Sequence, residues 1–186
     1  LDFGALRARV ETTANWITEN YAAQFLLIPS MRKVEFVIQL LACMVAGRTA
    51  VPIDPQTPEK LMEKMGVTLG DWACLETCSA ALPPQALNAI PSTMKYPLVL
   101  FTSGTSGNPK AVPISDANID HSTTVISNYL AYSQRNSAAI VLPLHYSYAL
   151  ISQLMCMISV GGYSHIFENL RNPLKIASRI EALDLK

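Results

Sequence analysis

The sequence predicts an α/β fold, a layered parallel sheet with helices on both faces, and three observations carry that expectation. Short apolar runs alternate with segments of helical period along most of the chain, the pattern of strands and crossover helices in a parallel sheet. Half of the 186 residues are hydrophobic and only 15% are charged, enough to bury one sizeable core. A loop of hydroxyls and glycines directly follows one of the apolar runs, at the carboxyl end of a strand, where such sheets bind ligands.

In order, Phe3, Leu6, Val10, Ala14 and Ile17 recur at helical spacing behind Asp2, which can cap, so a helix is expected to about Tyr21. Residues 24–28 read as a short buried strand ended by Pro29. Ser30 is expected to cap a second helix whose apolar residues, from Val34 to Val45, cover more than one face, with Gly47 closing it. Residues 49–53 make the next strand, residues 54–58 a turn fixed by Asp54-Pro55, and residues 59–65 a helix. Asp54 reads as a turn former and not as an acid or base. Residues 66–93 carry the fewest signals, with a strand over 72–75 and a surface connection over 79–91 around Pro83-Pro84.

Residues 96–101 form a strand that leads into the hydroxyl-rich loop, and the loop is expected to join that strand directly to a helix. Ser115 caps this helix, which runs to about Leu130 with Ile119, Ile126, Tyr129 and Leu130 facing inward. Residues 138–142 read as a strand, residues 143–150 as a turn with the character of a site, and the apolar residues to Val160 as a helix. Residues 162–167 form another strand. Asn172-Pro173 supplies a cap and an N1 proline for a last helix with Ile176, Ala177, Ile180 and Leu183 on one side.

Composition narrows the function. Fourteen basic residues balance fourteen acidic ones, and no basic run points to nucleic acid or an anionic membrane surface. Residues 136–167 hold no Asp, Glu, Lys or Arg, but Pro143, His145, Ser147, Gln153 and Gly161-Gly162 interrupt them, so no membrane span is expected. The cysteines Cys43, Cys74, Cys78 and Cys156 lack metal-site spacing and clustered histidines. Buried free thiols in a cytoplasmic protein, with no metal site, are expected. No basic-then-apolar leader opens the chain; it starts at Leu1-Asp2-Phe3-Gly4, as a piece cut from something larger would.

The loop carries the chemistry. Thr102, Ser103, Thr105 and Ser106 supply hydroxyls, and Gly104 and Gly107 free the backbone so that peptide N–H groups can converge on an anion. Lys110 adds a full charge, and Pro109 restricts Asn108 to extended conformations ahead of it. Such a set suits a polyphosphate. An ordinary surface loop has the same residue types, but that reading accounts neither for the terminal lysine nor for so many hydroxyls behind a buried strand. A Walker loop is excluded because Pro109 precedes Lys110 and Ala111 follows it. A dinucleotide fingerprint is excluded because Gly104 and Gly107 have no third glycine.

The run from Leu100 to Lys110 resembles the signature loop of the adenylate-forming enzymes: acyl-CoA synthetases, luciferases and non-ribosomal peptide adenylation domains. Ser106 stands where a second threonine is usual and keeps the hydroxyl. Ala111 stands where glycine is usual and adds a Cβ that can restrict the loop. A second stretch, Ala42 to Pro55, is similar to the family's A-x-x-x-A-G-x-x-x-V-P-x-D-P box. A third, Pro143-Leu144-His145-Tyr146-Ser147-Tyr148-Ala149-Leu150, is similar to its P-L-x-H-x-x-G-L segment, with His145 one place early and Ala149 in place of glycine. His121 and His165 have no such context and are left structural.

The resemblance implies that residues 1–186 are the amino-terminal subdomain of an AMP-binding ligase. Its loop residues Thr102, Ser103, Gly104, Thr105, Ser106, Gly107 and Lys110 would hold the β and γ phosphates of ATP. Lys110 would be catalytic as a carboxylic acid attacks the α phosphorus, forms an acyl-adenylate and releases pyrophosphate. His145 and Tyr146 would line the acyl pocket. The acceptor would be CoA or the thiol of an acyl or peptidyl carrier protein. The family's adenine and magnesium segment, its ribose segment and its carboxyl-terminal catalytic lysine are not in these residues, so the Mg2+ ligand is expected elsewhere and these residues alone are expected to be inactive. The competing reading is a non-catalytic phosphate-binding or scaffold module derived from the family, toward which Ala111 and Ala149 lean. A P-loop NTPase is disfavoured, since no apolar run ending in a magnesium-binding aspartate follows the loop.

Overall fold

The computed structural model describes residues 1–31, 33–75, 96–102, 109–167 and 173–183. It divides into two compact units, Leu1–Ser30 with Glu35–Asp116, and Met31–Val34 with Ala117–Lys186. The connection expected over 79–91, Cys78 and the cap expected at Asn172 lie outside the described residues.

The first unit opens with α1, Phe3–Asn20, capped as its sequence predicts, with the Ala5 N–H donating to the Asp2 carboxylate at 2.8 Å. The strands β1 (Phe25–Pro29), β2 (Thr49–Ile53), β3 (Trp72–Cys74), β4 (Leu98–Thr102) and β5 (Lys110–Ile114) form a 5-stranded sheet in the order β3-β1-β2-β4-β5. The β1/β2, β1/β3 and β2/β4 pairs are parallel, and β4/β5 is antiparallel. From β1 the chain steps one way through α2 (Val34–Val45) to β2, then the other way through α3 (Glu59–Leu69), past β1, to β3. Right-handed crossovers therefore put α2 and α3 on opposite faces. This is the covered parallel sheet the sequence predicts, extended by one antiparallel strand.

The α3 face shows why the fold holds. Phe25 and Leu27 from β1, Val51 and Ile53 from β2, Trp72 from β3 and Val99 from β4 alternate onto this face and bury against Met65 and Leu69, with Leu61 and Met62 half-buried beside them. Gly66 lets α3 approach β3, because a Cβ at that position would overlap the Trp72 indole. At the amino ends of the strands, polar groups tie the edges together. The Gln24 amide donates to the Thr49 hydroxyl at 3.2 Å, and that hydroxyl donates to the Tyr96 carbonyl at 2.6 Å.

Ser30 does not cap α2. Its N–H donates to the Ile53 carbonyl at 2.8 Å, continuing the β1/β2 ladder, and the helix starts later, at Val34. That bond holds Ser30 in the extended strand, four residues short of the helix start.

The second unit contains α4 (Asp116–Tyr129, whose first residue belongs to the first unit), the parallel pair β6 (Ser137–Ile140) and β7 (Tyr163–Ile166), and α6 (Pro173–Ala182). Between β6 and β7 the chain runs through a π-helical stretch, Tyr148–Met155, and then α5, Cys156–Val160. Hydrophobicity predicts the helix here but not its widened turns. On α4 the expected inward face holds only in part: Ile119 and Ile126 are half-buried. Tyr129 is 86% exposed and Leu130 48%, and the buried residues are Thr123 and Ser127. Small hydroxylated residues allow a close approach: the Cys156 thiol lies 3.9 Å from the Thr123 carbonyl, and the Thr123 hydroxyl is itself satisfied by the Ile119 carbonyl at 2.9 Å.

Three helices end in the same reversal. After α2, the Gly47 and Arg48 N–H groups donate to the Met44 and Cys43 carbonyls at 3.1 and 2.8 Å; after α5, those of Gly161 and Gly162 donate to Ile158 and Met157 at 3.2 and 2.8 Å. After α4, those of Ala131 and Tyr132 donate to Asn128 and Ser127 at 3.2 and 2.8 Å. The pivots Gly47, Gly161 and Ala131 have φ of 68°, 71° and 52°, so at one of the three the left-handed position is filled by a residue with a Cβ.

Candidate functional site

The hydroxyl-rich loop leaves the sheet at the carboxyl end of β4 and returns in β5, not directly in a helix. That corrects the expected strand-to-helix connection: Lys110 is the first residue of an antiparallel strand, and α4 begins only after Ser115. Pro113 and the brevity of the Lys-Ala-Val-Pro-Ile run hide this strand in the sequence. An edge strand accommodates a proline that a central strand would not.

The hairpin brings two of the predicted residues together. Thr102 and Lys110 are direct cross-strand partners, so their side chains leave the same face of the ladder about 5 Å apart at Cβ. Both are exposed. Among the described residues no carboxylate forms an ion pair with Lys110. A hydroxyl and an ammonium that pairs with no carboxylate among the described residues therefore flank the base of the loop. One step back, Phe101 faces Ala111, and this pair points to the other side, where both residues pack on the α3 cluster. Ser103, Gly104, Thr105, Ser106 and Gly107 lie outside the described residues. The donor set at Thr102 and Lys110 suits an anion such as phosphate: a neutral donor and a full positive charge, at the end of parallel strands.

His145 and Tyr146 belong to the second unit. The Tyr146 N–H donates to the Pro143 carbonyl at 3.1 Å, making a tight turn anchored by the fully buried Leu144. The His145 and Tyr146 rings meet edge to face at 4.5 Å between centroids. His145 is half-buried, and Tyr146 is 53% exposed. The π-helical stretch follows at once, with the Leu150 N–H donating to the Tyr146 carbonyl at 3.0 Å. Helices widened in this way are frequent at functional sites, a signal that sequence patterning does not carry. Ala149, where the resemblance implies glycine, is fully buried.

Other groups are poor candidates. Burial pushes the Cys43 thiol up to about 12, so it stays protonated and packs as a small apolar side chain. Cys43 and Cys156 are free thiols. Among the described residues no cluster of His, Cys, Asp and Glu could hold a metal ion, and no helix is long and apolar enough to cross a membrane. A cavity of about 480 Å³ between β7 and α6 is lined in part by His165 and Arg179 and contains none of the predicted site residues.

Comparison with known proteins bears on the same segments. A family model described as AMP-binding enzyme matches residues 85–184. Among curated proteins, a mitochondrial malonate–CoA ligase of Xenopus laevis is 34% identical over 65 residues, which cover 35% of this chain and 11% of that protein. A syringomycin synthase of Pseudomonas syringae pv. syringae is 32% identical over 108 residues, covering 47% of this chain and 18% of that protein. Among solved structures, the O-succinylbenzoate–CoA synthetase of Bacillus subtilis in complex with AMP superimposes with a TM-score of 0.78 at 16% identity. It covers 99% of this chain and 54% of its own. The amino-terminal subdomain of Klebsiella oxytoca NpsA gives 0.78 at 18% identity, covering 100% and 52%. At these identities the likeness is one of fold. The chain spans 11% and 18% of the first two curated relatives and about half of these solved ones.

Proposed function

The chain belongs to the AMP-binding enzyme family, and from that premise we propose that the protein is an ATP-dependent carboxylate-activating ligase in which residues 1–186 are the amino-terminal subdomain and supply the triphosphate-binding loop. The observation that carries this reading is the Thr102–Lys110 pair, which closes the loop at the carboxyl end of a parallel strand and whose ammonium pairs with no carboxylate among the described residues. A carboxylate oxygen attacks the α phosphorus of ATP, the bond to the bridging oxygen breaks, and pyrophosphate departs from an acyl-adenylate. Lys110 faces the charge that grows on the leaving group, and the hydroxyls of Thr102, Ser103, Thr105 and Ser106 donate to the same oxygens.

Magnesium accompanies the nucleotide and neutralises part of its charge, with its protein ligand outside these residues. His145 and Tyr146 contribute one wall of the acyl pocket. The acyl group then passes to the thiol of CoA or of a carrier protein. The free thiols of Cys43 and Cys156 suit a reducing cytoplasm, which fractionation of cells producing the protein would check.

Carboxylate-dependent exchange of labelled pyrophosphate into ATP, measured on the full-length protein across aryl, fatty, dicarboxylic and amino acids, tests the proposal. Exchange with at least one acid class is expected. A folded protein that exchanges with none would favour the scaffold reading. Residues 1–186 alone are expected to fold but to form no adenylate.

A further inference from the structure

The hairpin that presents Lys110 is seated on the α3 cluster through a cross-strand pair, one large side chain and one small. Phe101 and Ala111 form the cross-strand pair directly inside Thr102 and Lys110, and both pack against the cluster to which Leu61 and Met62 contribute. Successive residues of a strand point to opposite faces, so when Ala111 points down onto this cluster Lys110 must point up. The twist of the last rung is therefore set by how closely Ala111 lets the hairpin approach α3. A hydrogen at that position leaves Phe101 alone to seat the rung, and a larger side chain levers the hairpin away.

We infer that Ala111 is a positioning residue for the nucleotide: its methyl, resting on the α3 cluster, fixes the direction from which the Lys110 ammonium meets the phosphates. The inference rests on the ligand reading above but is specific to this chain, because it turns the Cβ that distinguishes Ala111 from glycine into a constraint on the loop. Ala111 itself touches no substrate. Its effect should reach the step that uses ATP and no other.

Two measurements on the full-length protein test it. In Ala111→Gly the KM for ATP should rise about three- to tenfold. The KM for the carboxylic acid, and transfer to thiol from a supplied acyl-adenylate, should stay within about twofold of wild type, and Ala111→Ser should behave nearly as wild type. Amide hydrogen exchange at Lys110 and Val112 should speed up about tenfold in Ala111→Gly and remain near wild type in Ala111→Ser, a readout that needs no catalysis. Unchanged exchange in Ala111→Gly would overturn the inference whether or not the protein is a ligase. So would an equal loss in both half-reactions, or an unchanged KM for ATP in an active protein. Absence of pyrophosphate exchange in the wild type would instead count against the ligase reading, leaving the amide measurement to decide on Ala111.

Discussion

Every residue of β1 and β2 is buried, from Phe25 to Pro29 and from Thr49 to Ile53, whereas β4 opens out at Phe101 and Thr102 and β5 runs from an exposed Lys110 through a half-buried Ala111 to an exposed Val112. The two regions share one sheet and one α3 face, yet residues are placed in them for different reasons. In the centre each side chain displaces water from its neighbours, and a substitution there should be felt as stability. At the outer end of the hairpin burial alternates along β5, with Ala111 half-buried between Lys110 and Val112, and the exposed residues are free to meet a ligand. The difference separates what holds the sheet from what the sheet holds.

The sharpest contrast comes from truncating the centre. Leu27 is fully buried in β1, and Leu27→Ala should cost about 2–5 kcal/mol, read as a lower midpoint in urea. A cost under about 1 kcal/mol would erase the distinction, since it would mean that the central strands are packed no better than the edge.

Next is Lys110→Ala, which should leave the urea midpoint within about 0.5 kcal/mol of wild type, as befits an exposed side chain with no ion pair among the described residues. A buried, well-aimed donor is worth roughly 3–4 kcal/mol of transition-state stabilisation, but an exposed one gives less, so adenylation should lose about 1–2 kcal/mol. Transfer from a supplied acyl-adenylate should be unaffected, because pyrophosphate has already left. Single-turnover kinetics of the two half-reactions separate these results, and equal losses in both would move Lys110 from phosphate binding to a shared conformational step.

The smallest effects come from the helix ends, where the same division between required and tolerated residues recurs. Gly161→Ala should destabilise by about 1 kcal/mol, because it places a Cβ at a φ of 71°. Ala131→Gly should be neutral or stabilise by a few tenths, because relief of strain at a φ of 52° opposes the greater freedom of glycine in the unfolded chain. Paired melting curves would show whether the two changes have opposite signs; a loss of 1 kcal/mol at Ala131 would show that its methyl makes a contact worth more than the strain.

What the sequence reveals follows the same line. Residues 49–53 are legible as β2 because an apolar run between Gly47 and Asp54-Pro55 leaves the chain little choice, and the Asp2 cap is legible because capping is local. The loop proposed to hold phosphate stands out by its chemistry at Thr102 and Lys110. Its hairpin does not, because Pro113 disguises β5 and the pairing with β4 is a tertiary fact. The π-helical turns after Tyr146 and the inward face of α4 are hidden for a related reason. Thr123 and Ser127 are buried by what packs against them, and no periodicity of apolar residues announces it.

Trp72, lying on Gly66, gives the protein an optical gauge. Its indole is buried against α3, whereas Trp16 is partly exposed beside Tyr21, at 5.4 Å between rings. The two should therefore emit at different wavelengths, and the bluer component belongs to the helix on which the Phe101–Ala111 pair rests. In residues 1–186 with Trp16→Phe, the colour of the remaining light follows the seating of α3 in real time, so that any strain carried from the hairpin into that helix when phosphate is bound becomes a signal that can be watched in a stopped-flow cell.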